Sequence, residues 1–96
     1  MPNEPHSHNF RGVTTFNDGH IHRYAGITSI DADVRGHRHS MAGVTTFEDG
    51  HVHRYSLYTS PEIQIGRGHT HYYQAATTIN DGHVHYIFGY TTVYIG

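Results

Sequence analysis

The chain contains no cysteine, so it can build neither a disulfide framework nor a thiolate metal site. It contains no lysine either. Its cations are six arginines, set against eight acidic residues for a formal charge of -2. That balance argues against nucleic acid as a partner. No apolar run reaches the roughly 18 residues that span a bilayer as a helix, so no membrane span is expected. The opening segment Met1-Pro2-Asn3-Glu4-Pro5 lacks the basic and apolar regions of a signal peptide. Both a cytoplasmic protein and an extracellular filament remain open. No stretch keeps a helical period. No P-loop, G-x-G-x-x-G motif or Ser-His-Asp order is present. At 96 residues the chain is one domain with a thin core, of a size often stabilised by metals or partners.

What the chain has in excess is histidine, twelve in all. Full protonation would carry the net charge from -2 to +10, so the chain is pH-sensitive by construction. The histidines fall in six His-x-His pairs on a threefold internal repeat. Copy one holds His6 and His8, then Gly12-Val13-Thr14-Thr15-Phe16-Asn17-Asp18-Gly19 and His20 and His22. Copy two holds His37 and His39, then Gly43-Val44-Thr45-Thr46-Phe47-Glu48-Asp49-Gly50 and His51 and His53. Copy three holds His69 and His71, then Ala75-Ala76-Thr77-Thr78-Ile79-Asn80-Asp81-Gly82 and His83 and His85. The second pair starts 14 residues after the first in every copy.

Each copy reads as a β-hairpin, with Asx-rich turns between β-branched and aromatic runs. A three-residue loop ending in a left-handed Gly places Phe16 opposite His20, Phe47 opposite His51 and Ile79 opposite His83. A two-residue Asp-Gly turn is the competing register. Pro61 marks an edge or a bend. Gly36 and Gly68 read as turns that start the next strand. The predicted fold is all-β, a single domain of three tandem hairpin repeats (about 6–36, 37–68 and 69–96) with about six strands. It would form an open repeat sheet or a small barrel completed by neighbouring subunits.

On a strand, residues i and i+2 share one face, so two imidazoles of a His-x-His pair can converge on one ion. Imidazole suits zinc, copper, nickel and iron. All twelve histidines are therefore candidate ligands of a divalent transition metal, copper or zinc first and nickel next. Pairs used singly or two at a time predict about three to six ions per chain. Asp18, Asp49 and Asp81 read as turn formers, with orientation of a nearby imidazole as an alternative. The Thr pairs 14–15, 45–46 and 77–78 read as ordinary strand residues. Tyr24, Tyr55 and Tyr86 read as packing. Near-identical copies favour capacity or assembly over one differentiated catalytic site, so no enzyme is expected.

Three stretches carry a family resemblance: His20-Ile21-His22-Arg23-Tyr24-Ala25-Gly26-Ile27-Thr28, Ile63-Gln64-Ile65-Gly66-Arg67-Gly68-His69-Thr70-His71, and Thr77-Thr78-Ile79-Asn80-Asp81-Gly82-His83-Val84-His85. On these the chain resembles the YmaF family of small bacterial proteins, over nearly its whole length from His6. Members that look like this often carry Glu after the second His. Here that residue is Asn9, Arg23, Ser40, Arg54, Tyr72 or Tyr86, so acidic ligands are scarcer. The resemblance supports the repeat and supplies no catalytic assignment.

The segment from Gly82 to Gly96 holds no charged side chain and is rich in aromatic and β-branched residues. An uncharged terminal strand calls for a cover. Two covers are expected: another subunit, giving a homo-oligomer or head-to-tail filament, or closure into a barrel. The functional expectation is thus a metal-binding β protein that self-assembles, its metal structural or stored. The alternatives are a closed soluble metal-binding or sensing domain and a purely structural β assembly without metal.

Overall fold

The computed structural model describes residues 4–17, 19–79 and 82–95, and among these it contains strands but no helix. Six strands of five residues form three antiparallel hairpins. β1 (Asn9–Val13) pairs with β2 (Arg23–Ile27), β3 (Ser40–Val44) with β4 (Arg54–Tyr58), and β7 (Tyr72–Ala76) with β8 (Tyr86–Tyr90). Three shorter strands, β5 (Ile63–Ile65), β6 (Gly68–Thr70) and β9 (Tyr94–Ile95), make a separate small sheet in the order β5-β6-β9. The sheets are small and open, and no continuous strand ladder closes them into a barrel. The molecule is elongated, 46 × 20 × 17 Å.

The turns differ from the expected three-residue loops. Asn17 pairs with His20 and Glu48 with His51, so the loops hold two residues. Asp49 and Gly50 both have positive φ, 53° and 85°, the signature of a type I′ turn, which suits the right-handed twist of a hairpin. Of the third expected loop, Asn80-Asp81-Gly82, the first two residues lie outside the described residues. The five-residue strands nevertheless keep the register that the longer loop implied, Val13 opposite Arg23 and Val44 opposite Arg54. A bulge reconciles the two. Thr46 and Phe47 stand between the Thr45–His53 and Glu48–His51 pairings, facing Val52 alone. The chain bends at Pro61 and turns at Gly36, as expected. Gly68 departs from its reading: the turn lies at Gly66-Arg67, and Gly68 is a strand residue. A Cβ on Gly68 would collide with the Tyr94 carbonyl oxygen.

The second residue of each five-residue strand points inward. Phe10, Tyr24, Met41, Tyr55, Tyr73 and Ile87 are all buried and make up the core. The Phe10, Tyr24, Tyr55 and Tyr73 rings meet at 5.7–6.3 Å, favourable distances for edge and tilted contacts. The Tyr24 and Tyr73 hydroxyls satisfy each other at 2.8 Å. Tyr24 and Tyr55 thus pack as expected. Tyr86 does not: it is half exposed, and Ile87 holds the core position of β8.

Backbone hydrogen bonds link the hairpins in a ring at each end. At one end Thr46 N–H donates to the Arg23 carbonyl, Thr78 N–H to Arg54 and Thr15 N–H to Tyr86. At the other, Ser29 N–H donates to Ser40, Ser60 N–H to Tyr72 and Thr92 N–H to Asn9. The contacts of Thr15 with Tyr86 and of Thr92 with Asn9 join the first hairpin to the last. These bonds pair the terminal part of the chain with its own first hairpin.

Candidate metal centre

The His-x-His pairs lie just before the five-residue strands, in extended segments, with only His69 inside a strand. Because paired strands run antiparallel, the segment before the first strand of a hairpin and the one before its second lie at opposite ends. The twelve imidazoles accordingly form two groups. His6, His8, His37, His39, His69 and His71 meet at one end; His20, His22, His51, His53, His83 and His85 meet at the other. In each group one ligand nitrogen per residue lies within 4.8 Å of all the others. The pairs gather three at a time at each end, where the spacing alone suggested pairs used singly or two at a time.

A fixed set of hydrogen bonds aims the second histidine of every pair. His8, His22, His39, His53, His71 and His85 donate Nδ1–H at 2.8–2.9 Å to the carbonyls of Thr92, Thr46, Ser29, Thr78, Ser60 and Thr15. Each of these carbonyls belongs to a neighbouring hairpin. His6, His37 and His51 likewise place Nδ1 on the carbonyls of Glu4, Val34 and Asp49. An Nδ1–H held by a carbonyl fixes the tautomer and leaves Nε2 as a lone pair. Those lone pairs point into the groups. Nε2 to Nε2 separations are 3.0–3.2 Å for His6–His69, His37–His69 and His37–His71. They are 3.0–3.3 Å for His51–His53, His83–His85, His20–His83 and His20–His85. The Nε2 atoms of His8, His22 and His39 are buried without a hydrogen-bond partner.

Burial of this kind costs about 1–3 kcal/mol per unsatisfied polar atom. A cation at the centre of each group would satisfy every lone pair at once, so the donors present fit a metal ion. Protons serve less well. Desolvation, reinforced by neighbouring imidazoles, pushes His8, His69 and His71 down to about 4. His39, His53 and His85 are lowered by the same desolvation. Carboxylates stand behind several rings. Asp31 lies 3.1 Å from His39 Nδ1, and Asp33 reaches toward His37 and His69. Asp49 lies 3.4 Å from His20 Nδ1 in the next hairpin, so this turn former also backs an imidazole. Asp18 and Asp81 lie outside the described residues. The Tyr94 ring stacks on His6 at 4.1 Å and covers that end.

The sequence reading missed the hydroxyl residues. Six Thr/Ser pairs, 14–15, 28–29, 45–46, 59–60, 77–78 and 91–92, each follow a five-residue strand. The first member accepts the backbone N–H of the second histidine across its own hairpin, as Thr14 does from His22 and Thr45 from His53. The carbonyl of the second member accepts Nδ1–H of the adjacent hairpin's histidine, and its side-chain oxygen accepts the following backbone N–H, as Thr46 does from Arg23. The signal was present: H-x-H, five residues, then Thr-[Ser/Thr], six times at one spacing.

Comparison with sequence families matches residues 3–93 to YmaF, described as spore germination protein GerY/YamF. No curated protein and no solved structure matches the chain. A match over almost the whole length settles the assignment: the chain belongs to the YmaF family.

Proposed function

We propose that this protein binds divalent transition metal ions, one in each imidazole group and two per chain, and that the ions are structural. The observation that carries the reading is the aimed Nε2 lone pairs, held inward by Nδ1–H bonds to carbonyls of adjacent hairpins. Each ion would be bound by all three hairpins, so its binding free energy would also be folding free energy. Six imidazoles leave no position for a substrate, which favours a structural or stored ion over catalysis. The test is elemental analysis of protein isolated without metal-affinity resin, followed by calorimetric titration of the metal-free form. Two equivalents per chain are expected; saturation at none would leave a β assembly without metal.

Self-association is a separate part of the proposal. Phe16, Phe47 and Ile79, each near a hairpin tip, are 70–78% exposed and ring one end of the molecule. An apolar ring of this kind suits the end of a second copy. Light scattering of the parent and of the triple variant Phe16→Asp, Phe47→Asp, Ile79→Asp tests it. A parent that is monomeric at all concentrations would refute it.

A further inference from the structure

We propose that both groups are six-coordinate all-imidazole sites, selective for ions that favour an octahedron, Fe2+, Co2+ or Ni2+, over Zn2+ and Cu2+. The inference rests on the proposal that the groups hold ions and asks which ions they hold. Its ground is the shape of the donor set. In one group the rings of the first histidines, His6, His37 and His69, lie 4.8–5.0 Å apart in a triangle, and those of the second histidines, His8, His39 and His71, lie 4.6–4.7 Å apart in another. Two triangles stacked along a threefold axis can make an octahedron. The observed separations fit its edges: 3.0 and 3.2 Å within the first triangle, 3.1 Å between His37 and His71 across the two. The second group repeats this, with 3.3 Å for His20–His83 within a triangle and 3.0–3.3 Å for His51–His53, His83–His85 and His20–His85 between triangles.

An octahedron with such edges puts each nitrogen about 2.1–2.3 Å from the centre, in or slightly beyond the range of metal–imidazole bonds. Its opposite corners fall within the 4.8 Å limit that holds for every pair of ligand nitrogens. Four-coordinate binding would leave two lone pairs per group buried against the ion without bonding it. Zn2+ in structural sites is almost always tetrahedral, and Cu2+ favours tetragonal geometry, which a threefold-symmetric set of donors resists. Among divalent ions without those preferences, affinity for nitrogen donors rises from Fe2+ through Co2+ to Ni2+. The locked Nδ1–H bonds also oppose any rearrangement of the rings toward four-coordination.

The experiment loads the metal-free full-length protein with Co2+, Ni2+ or Zn2+. It records the Co2+ absorption spectrum, the X-ray absorption shell of the Ni2+ form, and competition of Ni2+ against bound Zn2+. The expected results are the weak visible bands of six-coordinate Co2+, a shell of six nitrogens around Ni2+, and release of most of the Zn2+ by an equal amount of Ni2+. Intense tetrahedral Co2+ bands, a four-donor shell, or Zn2+ retained against Ni2+ would overturn the inference while leaving metal binding intact. Failure of all three ions to bind would overturn both. As a second check, His39→Ala and His53→Ala each remove one donor from a different group. Each should weaken one of the two Ni2+ equivalents and spare the other. Two unweakened equivalents in either variant would refute a shell that needs all six imidazoles.

Discussion

Acidifying the metal-free protein tests the buried imidazoles directly. A free histidine titrates near pH ~6.5, whereas burial holds His8, His69 and His71 near 4 in the folded chain. The folded values are depressed, so between these limits the unfolded chain binds more protons than the folded one. Stability is therefore complete above pH ~6.5 and falls as pH drops toward 4. Each histidine that stays neutral while its unfolded counterpart is protonated contributes about 1.4 kcal/mol of loss per pH unit. Three such groups give a slope of about 4 kcal/mol per unit, and His39, His53 and His85, lowered in the same direction, steepen it. From pH 6.5 to 4 the three groups together remove about 10 kcal/mol, so a domain stable by about 5–10 kcal/mol at neutrality should unfold within that window. Near-UV circular dichroism of chelator-treated protein follows this through the core tyrosines Tyr24, Tyr55 and Tyr73. An ion present at 100 times its Kd adds about 2.7 kcal/mol per site, which at this slope lowers the acid midpoint by about two-thirds of a pH unit per site. Metal-free protein with equal denaturant stability at pH 7 and pH 5 would show that the histidines are not held neutral by burial.

Three further outcomes are expected. Thr45→Val keeps the side-chain shape but strips the acceptor from the buried His53 N–H, and should cost about 1–3 kcal/mol in urea unfolding; an unchanged midpoint would mean that this bond is not made. Gly43→Ala sets a methyl 2.5 Å from the buried Tyr55 hydroxyl and should destabilise by about 1–3 kcal/mol, with partial recovery in Gly43→Ala/Tyr55→Phe; no recovery would place the strain elsewhere. Gly50→Ala forces a side chain onto a residue at φ 85°, and a melting-temperature loss equivalent to about 1 kcal/mol is expected, against none for Asp49→Asn, since Asn suits the first position of a type I′ turn.

The candidate donors were legible in the residues, and so was the all-β class. Six His-x-His pairs at one spacing point to imidazole clusters, and no stretch keeps a helical period. Tyr24 and Tyr55 were legible as packing, because each follows its pair by two residues and falls on the inward phase of its strand. The same rule would have chosen Ile87 over Tyr86, which stands one position too early. The turn was half legible. Asp-Gly signals a hairpin, but two registers satisfy it, and the bulge at Thr46-Phe47 that reconciles them has no local sequence signature.

How many pairs meet was a different kind of question. Periodicity along one strand shows that His37 and His39 can share an ion, and it stops there, because spacing within a hairpin carries no information about distance between hairpins. The strand direction alone sends the first and second pairs of each copy to opposite ends. What brings His8 beside His71, or His22 beside His85, is closure of the three hairpins into a ring, through bonds such as His8 to Thr92 and His85 to Thr15 that join residues near opposite ends of the chain. Those bonds use backbone carbonyls, which every residue carries and no composition reveals. The sequence by itself determined which atoms can bind a metal. The tertiary structure decided that they gather as two sets of six, because only the packed hairpins fix the tautomers and set the lone pairs 3.0–3.3 Å apart.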